Sequence, residues 1–191
     1  MAQTFTPTTV TSGEGAQFDY PLNLDRGIPG QIADLSPVHI ITGANETGSY
    51  IAYGVPVAAN GSGVLNNSCQ LASAAGAILG ITARSSVHEK SGIPAPGTAP
   101  SYTEGVPDLG AVNILTQGTI YLEVMEAVAP GDTLRFHKSG TNAGKWGKTA
   151  SAGHTLALAA GGWKIRKAGA VGLVLAVEIN TPAELTFTAD S

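Results

Sequence analysis

The chain has 191 residues, enough for one domain that buries a core without disulfides or metals. Only 13% of them are charged and 25 are Gly; too few Lys, Glu and Arg remain to cover soluble helices, while Gly and Thr suit turns and pleated strands. A net charge of −4 with interspersed signs speaks against a nucleic-acid surface, and the longest apolar run, 168–177, is about half the length of a membrane helix.

Residues 1–26 form a polar segment rich in Thr, Ser, Gly and Gln. No Lys or Arg precedes Arg26 and no apolar stretch follows Met1, so no secretory signal is expected and synthesis in a cytoplasm-like compartment is implied. Phe5 stands alone, but Phe18, Tyr20, Leu22 and Leu24 alternate. Alternate side chains of an extended segment share one face. The segment therefore reads as an N-terminal arm, too polar for a core of its own, whose anchors Phe5, Phe18, Tyr20, Leu22, Leu24 and Arg26 serve another surface.

From Gly27 the chain becomes turn-punctuated, and 27–180 reads as a β body. Gly27-Ile28-Pro29-Gly30 is a turn cluster. Gln31–Ala33 and Val38–Thr42 read as short strands, Gly43–Ser49 as a loop, and Ile51–Ala58 as a strand whose Pro56 implies an edge or a bulge. Asn60-Gly61-Ser62-Gly63 is a turn. Cys69 is the single cysteine, so no internal disulfide is possible; Val64, Leu71 and Ala72 around it suggest a small buried hydrophobe. Leu71–Ala75 leaves helix or strand open, since Gly76 and Gly80 oppose a helix, and Ile78–Arg84 reads as a strand.

Residues 85–110 hold Pro94, Pro96, Pro100 and Pro107 and are too long for an ordinary connection, so they read as a loop excursion or insertion. Ala111–Thr116, Gly118–Met125, Thr133–His137, Trp163–Arg166 and Gly172–Ile179 read as further strands. Pro130-Gly131-Asp132 and Ser139-Gly140-Thr141-Asn142 are hairpin-type turns. Residues 181–191 read as a polar tail. The expected fold class is all-β: a compact sandwich or barrel-like body with an extended arm and a Pro-rich excursion.

The chemistry-bearing residues do not assemble into a motif. His39, His88, His137 and His154 have no ligand spacing and no Cys or carboxylate cluster beside them. Gly147-Lys148-Thr149 imitates the end of a phosphate loop, but Asn142 stands where its first glycine belongs, and Ala150-Ser151-Ala152-Gly153 is a poor helix start. Gly61 and Gly63 lack the third glycine of a dinucleotide fingerprint, because Asn66 is there. Glu123 and Glu126 read as solvated charges near a strand end, and Trp146 and Trp163 as core or interface anchors. No catalytic residue, metal ligand or cofactor is expected.

Three segments, taken in order, are similar to a known family. They are Gly27-Ile28-Pro29-Gly30-Gln31-Ile32-Ala33-Asp34, Ala77-Ile78-Leu79-Gly80-Ile81-Thr82, and the stretch Val112–Val124 followed by Ala127-Val128-Ala129-Pro130-Gly131-Asp132. With Trp163 and the Gly-rich stretch 169–177 closing the domain, this order resembles the capsid cement, or decoration, proteins of tailed bacteriophages over roughly residues 20–180. The resemblance implies a structural virion protein on the outer capsid surface, made in the host cytoplasm and bridging capsomers of the major capsid protein. It also implies a homotrimer; from the charge pattern and the short apolar run, neither nucleic acid nor membrane is expected as partner. The opening motif Gly27, Ile28, Pro29 and Gly30 joins the arm as candidate interface. The competing reading of the residues is another β-rich virion module, either a tail or baseplate component or a glycan-binding decoration protein.

Overall fold

The computed structural model describes residues 27–34, 37–85, 105–172, 174–180 and 185–190. Among them the regular structure is all strand. The strands are β1 (His39–Asn45), β2 (Ile51–Ala52), β3 (Pro56–Ala59), β4 (Ser68–Leu71), β5 (Gly76–Ala77), β6 (Gly80–Ala83) and β7 (Gly105–Val106). After them come β8 (Ala111–Glu123), β9 (Arg135–His137), β10 (Trp146–Gly147), β11 (Thr155–Leu158), β12 (Trp163–Ile165), β13 (Val174–Ile179) and β14 (Thr186–Ala189). The all-β expectation holds.

One sheet runs β1-β4-β3-β6-β8-β13-β12, and β1 also pairs with β8. That extra pairing closes β1, β4, β3, β6 and β8 into a small barrel. β8 belongs to two structures: Ala111–Gln117 pairs with β1, while Gly118–Glu123 pairs with β13. The chain before β1 continues along the same side of β8. The Gly30 N–H donates to the Tyr121 carbonyl, the Tyr121 N–H to Gln31, and the Ala33 N–H to Thr119. A second sheet, β10-β9-β11-β14-β5, packs beside the barrel, and β2 pairs with β7.

The alternation of β8 explains its place: Val112, Ile114, Ile120 and Leu122 are fully buried. One continuous core joins barrel and second sheet. At the seam the Trp146 indole N–H donates to the Gly54 carbonyl at 2.8 Å, and its ring packs against Phe136 and Phe187 with centroids 5.2 and 6.2 Å away. Cys69 is buried in the barrel, as expected, and burial pushes its thiol pKa up.

Several elements differ from the sequence reading. Ile51–Ala58 is broken at Tyr53-Gly54, with Gly54 at φ +74°. Pro56 opens β3 inside the sheet rather than on an edge: a first residue needs no ladder N–H of its own, and its carbonyl accepts the Ala72 N–H. β1 runs to Asn45, through part of the expected loop. The two strands expected between Ala111 and Met125 are one, because Gly118, at a φ of +127° open to glycine, carries the strand on instead of ending it. Gly105–Val106, at the end of the Pro-rich excursion, forms β7. The segment 181–191, expected as a tail, holds β14, whose Phe187 is buried and which pairs with β11 and β5. The arm 1–26 with Phe5, Phe18, Tyr20, Leu22, Leu24 and Arg26 lies outside the described residues, as do 86–104 with His88, Pro94, Pro96 and Pro100.

Candidate interaction surfaces

The opening motif sits where the barrel meets the lower half of β8. Gly27 lies flat on the Tyr121 ring, so close that a Cβ would stand 2.0 Å from a ring carbon. Gly30 is buried at φ +78°, and a Cβ there would meet the Tyr53 Cβ at 2.6 Å. Its carbonyl accepts the Arg84 N–H at 2.7 Å. Only glycine combines that backbone with that space. Gly27 and Gly30 thus build the fold at the base of the arm. Of the four candidate residues, Ile28 is the one that offers a large exposed apolar side chain, 44% accessible.

The barrel is staggered. The start of β4 lines up with the end of β1, Ala44 opposite Ser68 and Asn45 opposite Cys69, so His39–Gly43 extends below β4. At this lower mouth lies an open cavity of about 550 Å³, lined by Ile41, Gly43, Ala59, Leu79 and Ile114 with the amides Asn66 and Asn67 at its rim. Gly43 is needed here: a Cβ would press on Cys69 Sγ and Ile114 Cδ1, both at 3.0 Å. Exposed Ile40, Val64 and Leu65 belong to the strand and loop that border this mouth. The loop is held by Glu46, whose carboxylate accepts the N–H groups of Val64 and Leu65. The Ser68 hydroxyl and these two N–H groups hold the Glu46 carboxyl below its usual pKa.

A second groove, about 410 Å³, lies on the second sheet between His137, Ser139, Thr141, Asn142, Ser151 and His154. His137 is 6% exposed, and its Nε2 has no hydrogen-bond partner among the described residues. Burial lowers its pKa against the pull of Glu126 and Asp190, so the ring is neutral at pH 7; His154 acts in the same direction as burial. Partial burial works to raise Glu126, but bonds from the Thr149 N–H, the Thr149 hydroxyl and the Lys148 N–H, with the Lys148 charge, hold it below its ordinary value. Glu126 is therefore a clamp on the loop after β10, and Glu123 pairs with Lys145 at 2.8 Å. Trp163 donates its indole N–H to the Ala159 carbonyl. No cluster of His, Cys, Asp and Glu able to hold a metal exists among the described residues.

The fold and these surfaces define a class: an all-β module in which Glu46 and Glu126 hold loops in place. The sequence profile of the family described as "Structural cement protein (E217 gp24/Pam3 gp6)" matches residues 16–180. The chain belongs to this family of phage structural cement proteins and is a capsid-stabilising structural protein. Among solved structures it is similar to a chain of "The capsid of Myoviridae Phage XM1", at 19% identity and a TM-score of 0.55, covering 87% of this chain and 98% of that one. That likeness is one of fold. No curated protein matches. The resemblance seen in the glycine and small-residue motifs therefore holds, and the profile begins within the arm, two residues before Phe18.

Proposed function

We propose that this cement protein sits on the outer surface of a phage capsid, bridges neighbouring capsomers of the major capsid protein without catalysing a reaction, and works as a homotrimer. The observation that carries the reading is the family match from residue 16 to residue 180, which takes in the anchor-bearing end of the arm as well as the β body. A protein that binds only the assembled lattice stabilises it by mass action. Several modest contacts on one oligomer add through effective concentration. In this reading the arm, with Phe5, Phe18, Tyr20, Leu22, Leu24 and Arg26, is an anchor for a neighbouring capsid or cement subunit, and Ile28 extends that surface at its base. Each large anchor contributes about 1.5–3 kcal/mol on burial, against about 1–2 kcal/mol per ordered backbone residue. The arm therefore gains only where main-chain bonds form as well.

The test is co-sedimentation with capsids lacking the protein. Removal of residues 1–24 should leave a folded β body that binds capsids much more weakly, and Phe18→Ala with Tyr20→Ala should do part of the same. Truncated protein that binds as tightly as the full chain would refute the anchor.

A further inference from the structure

We propose that the lower mouth of the barrel is the seat for the Phe18–Leu24 segment of a second copy of this chain, which adds as a parallel strand to the lower edge of β1, where no described strand pairs. The inference deepens the reading of the arm as an anchor and rests on it.

The edge comes first. The Asn45 N–H donates to Gly110 on the β8 side, whereas the Ala44 N–H donates to Asn67 on the β4 side. Backbone groups alternate sides along a strand, so those of Ile40 and Thr42 point the same way as Ala44, to where β4 has not yet begun. Among the described residues no strand pairs there. Ile40 and Thr42 are exposed, Ile41 is half-buried and Gly43 buried, and the Ile41–Gly43 stretch borders the cavity. Among the described residues the site thus offers a row of backbone donors and acceptors that no strand pairs, beside a largely apolar cavity, the two components of strand addition.

The arm matches both. Phe18, Tyr20, Leu22 and Leu24 share one face, suited to Ile41, Leu79 and Ile114. Pro21 lies on the other face and has no N–H. A parallel strand on this edge bonds β1 through its inward-facing residues, as β4 does through the Asn67 carbonyl. Pro21 then faces away from β1, where a missing donor costs nothing. In the antiparallel direction the outward-facing residues would bond β1, and Pro21 would interrupt the ladder. Proline therefore selects the parallel direction, in line with β4.

Reach assigns the occupant to another copy. Gly27 rests on Tyr121, and the cavity lies at Ile114. Next to Gly27, Gly30 bonds Arg84 and abuts Gly54, whereas Leu79 and Ala59 of the cavity lie five residues away along the β6 and β3 stretches, roughly 16 Å at about 3.3 Å per residue. Leu24 is three residues from Gly27 and spans at most about 11 Å. A chain cannot lay all four anchors in its own mouth. A head-to-tail exchange of arms can close into a ring, which suits a trimer.

The test uses full-length chains with two different tags, one carrying Asp19→Cys or Asn23→Cys and the other Thr42→Cys, all outward-facing positions. They are mixed free and on particles, then mildly oxidised. Disulfide-linked heterodimers should exceed those formed with a Val171→Cys control by roughly tenfold or more, because seating raises the effective concentration of the thiols. Thermal melts confirm that each variant is folded. Equal yields with both partners, no heterodimer in either setting, or a double variant that closes only within its own chain would overturn the proposal. If truncating the arm weakens capsid binding while no cross-link forms, the anchor stands and its seat is on the capsid protein.

Discussion

Replacing Trp146 by Phe tests whether the seam between barrel and second sheet is held by one indole. Trp146 is fully buried and its N–H is the donor to the Gly54 carbonyl at 2.8 Å. Phe keeps an aromatic ring against Phe136 and Phe187 but removes the donor, leaving a buried carbonyl short of a partner at a cost of about 1–3 kcal/mol. The missing ring leaves a void worth about 1 kcal/mol more. The expected loss is about 2–4 kcal/mol, or roughly 5–15 °C in Tm for a chain of this size. Urea denaturation followed by circular dichroism should show a lower midpoint with an unchanged slope. Because Gly54 belongs to the barrel side, where its own N–H donates to Thr82, hydrogen exchange at Gly54 and Val55 should quicken although the substitution lies in the other sheet. A loss below about 1 kcal/mol, outside the range for an orphaned buried carbonyl, with exchange unchanged in the barrel, would refute the reasoning.

Gly30→Ala should destabilise by about 2–4 kcal/mol in the same denaturation assay, since it adds left-handed backbone strain to a contact with Tyr53. Phe187→Ala should cost about 3–5 kcal/mol, and a chain ending at residue 184 should lose cooperative melting of the second sheet, measurable by near-ultraviolet circular dichroism. Stability should fall with acidity in two stages. His137 has a folded pKa below 6.5, so just below that pH the unfolded chain binds more protons and the native state weakens; Glu46, Glu126 and Asp132, all held below their usual values, withdraw their contributions below about pH 4.5. Tm measured against pH should show both, and His137→Gln should flatten the first while leaving the second.

The sequence made legible what depends on neighbours along the chain. Val112 and Ile114, and Leu175, Val177 and Ile179, are apolar residues in alternation and lie on strands. β14 was not legible, because Thr186-Phe187-Thr188 offers one large apolar side chain; it is a strand because β11 and β5 present edges to it. β11, Thr155–Leu158, is buried on both faces and so has no period to read. Gly118 looks like a break; its φ of +127°, which L side chains rarely adopt, and Val38, 3.2 Å from where a Cβ would be, show why glycine stands within a continuous strand. At the opening motif the turn was readable, but the demand for Gly27 and Gly30 comes from Tyr121 and Tyr53, which only the fold brings near. The barrel mouth arises from a stagger between β1 and β4, a property of register that no single segment records.

The chain from Gly30 to Ala33 runs antiparallel along the lower half of β8, with β13 on the opposite side of the same residues. A tension applied at residue 27 along that axis loads the bonds at Gly30, Gln31 and Ala33 together, in shear; a tension across the axis would open them one by one. The rupture force of such a joint therefore depends on its direction. A shell swollen by packed DNA pulls tangentially. If the arm is the anchor proposed above, the joint at Gly30–Ala33 should be mechanically toughest when β8 lies in the plane of the capsid wall, so that orientation on the lattice, and not affinity alone, would set how much pressure it withstands.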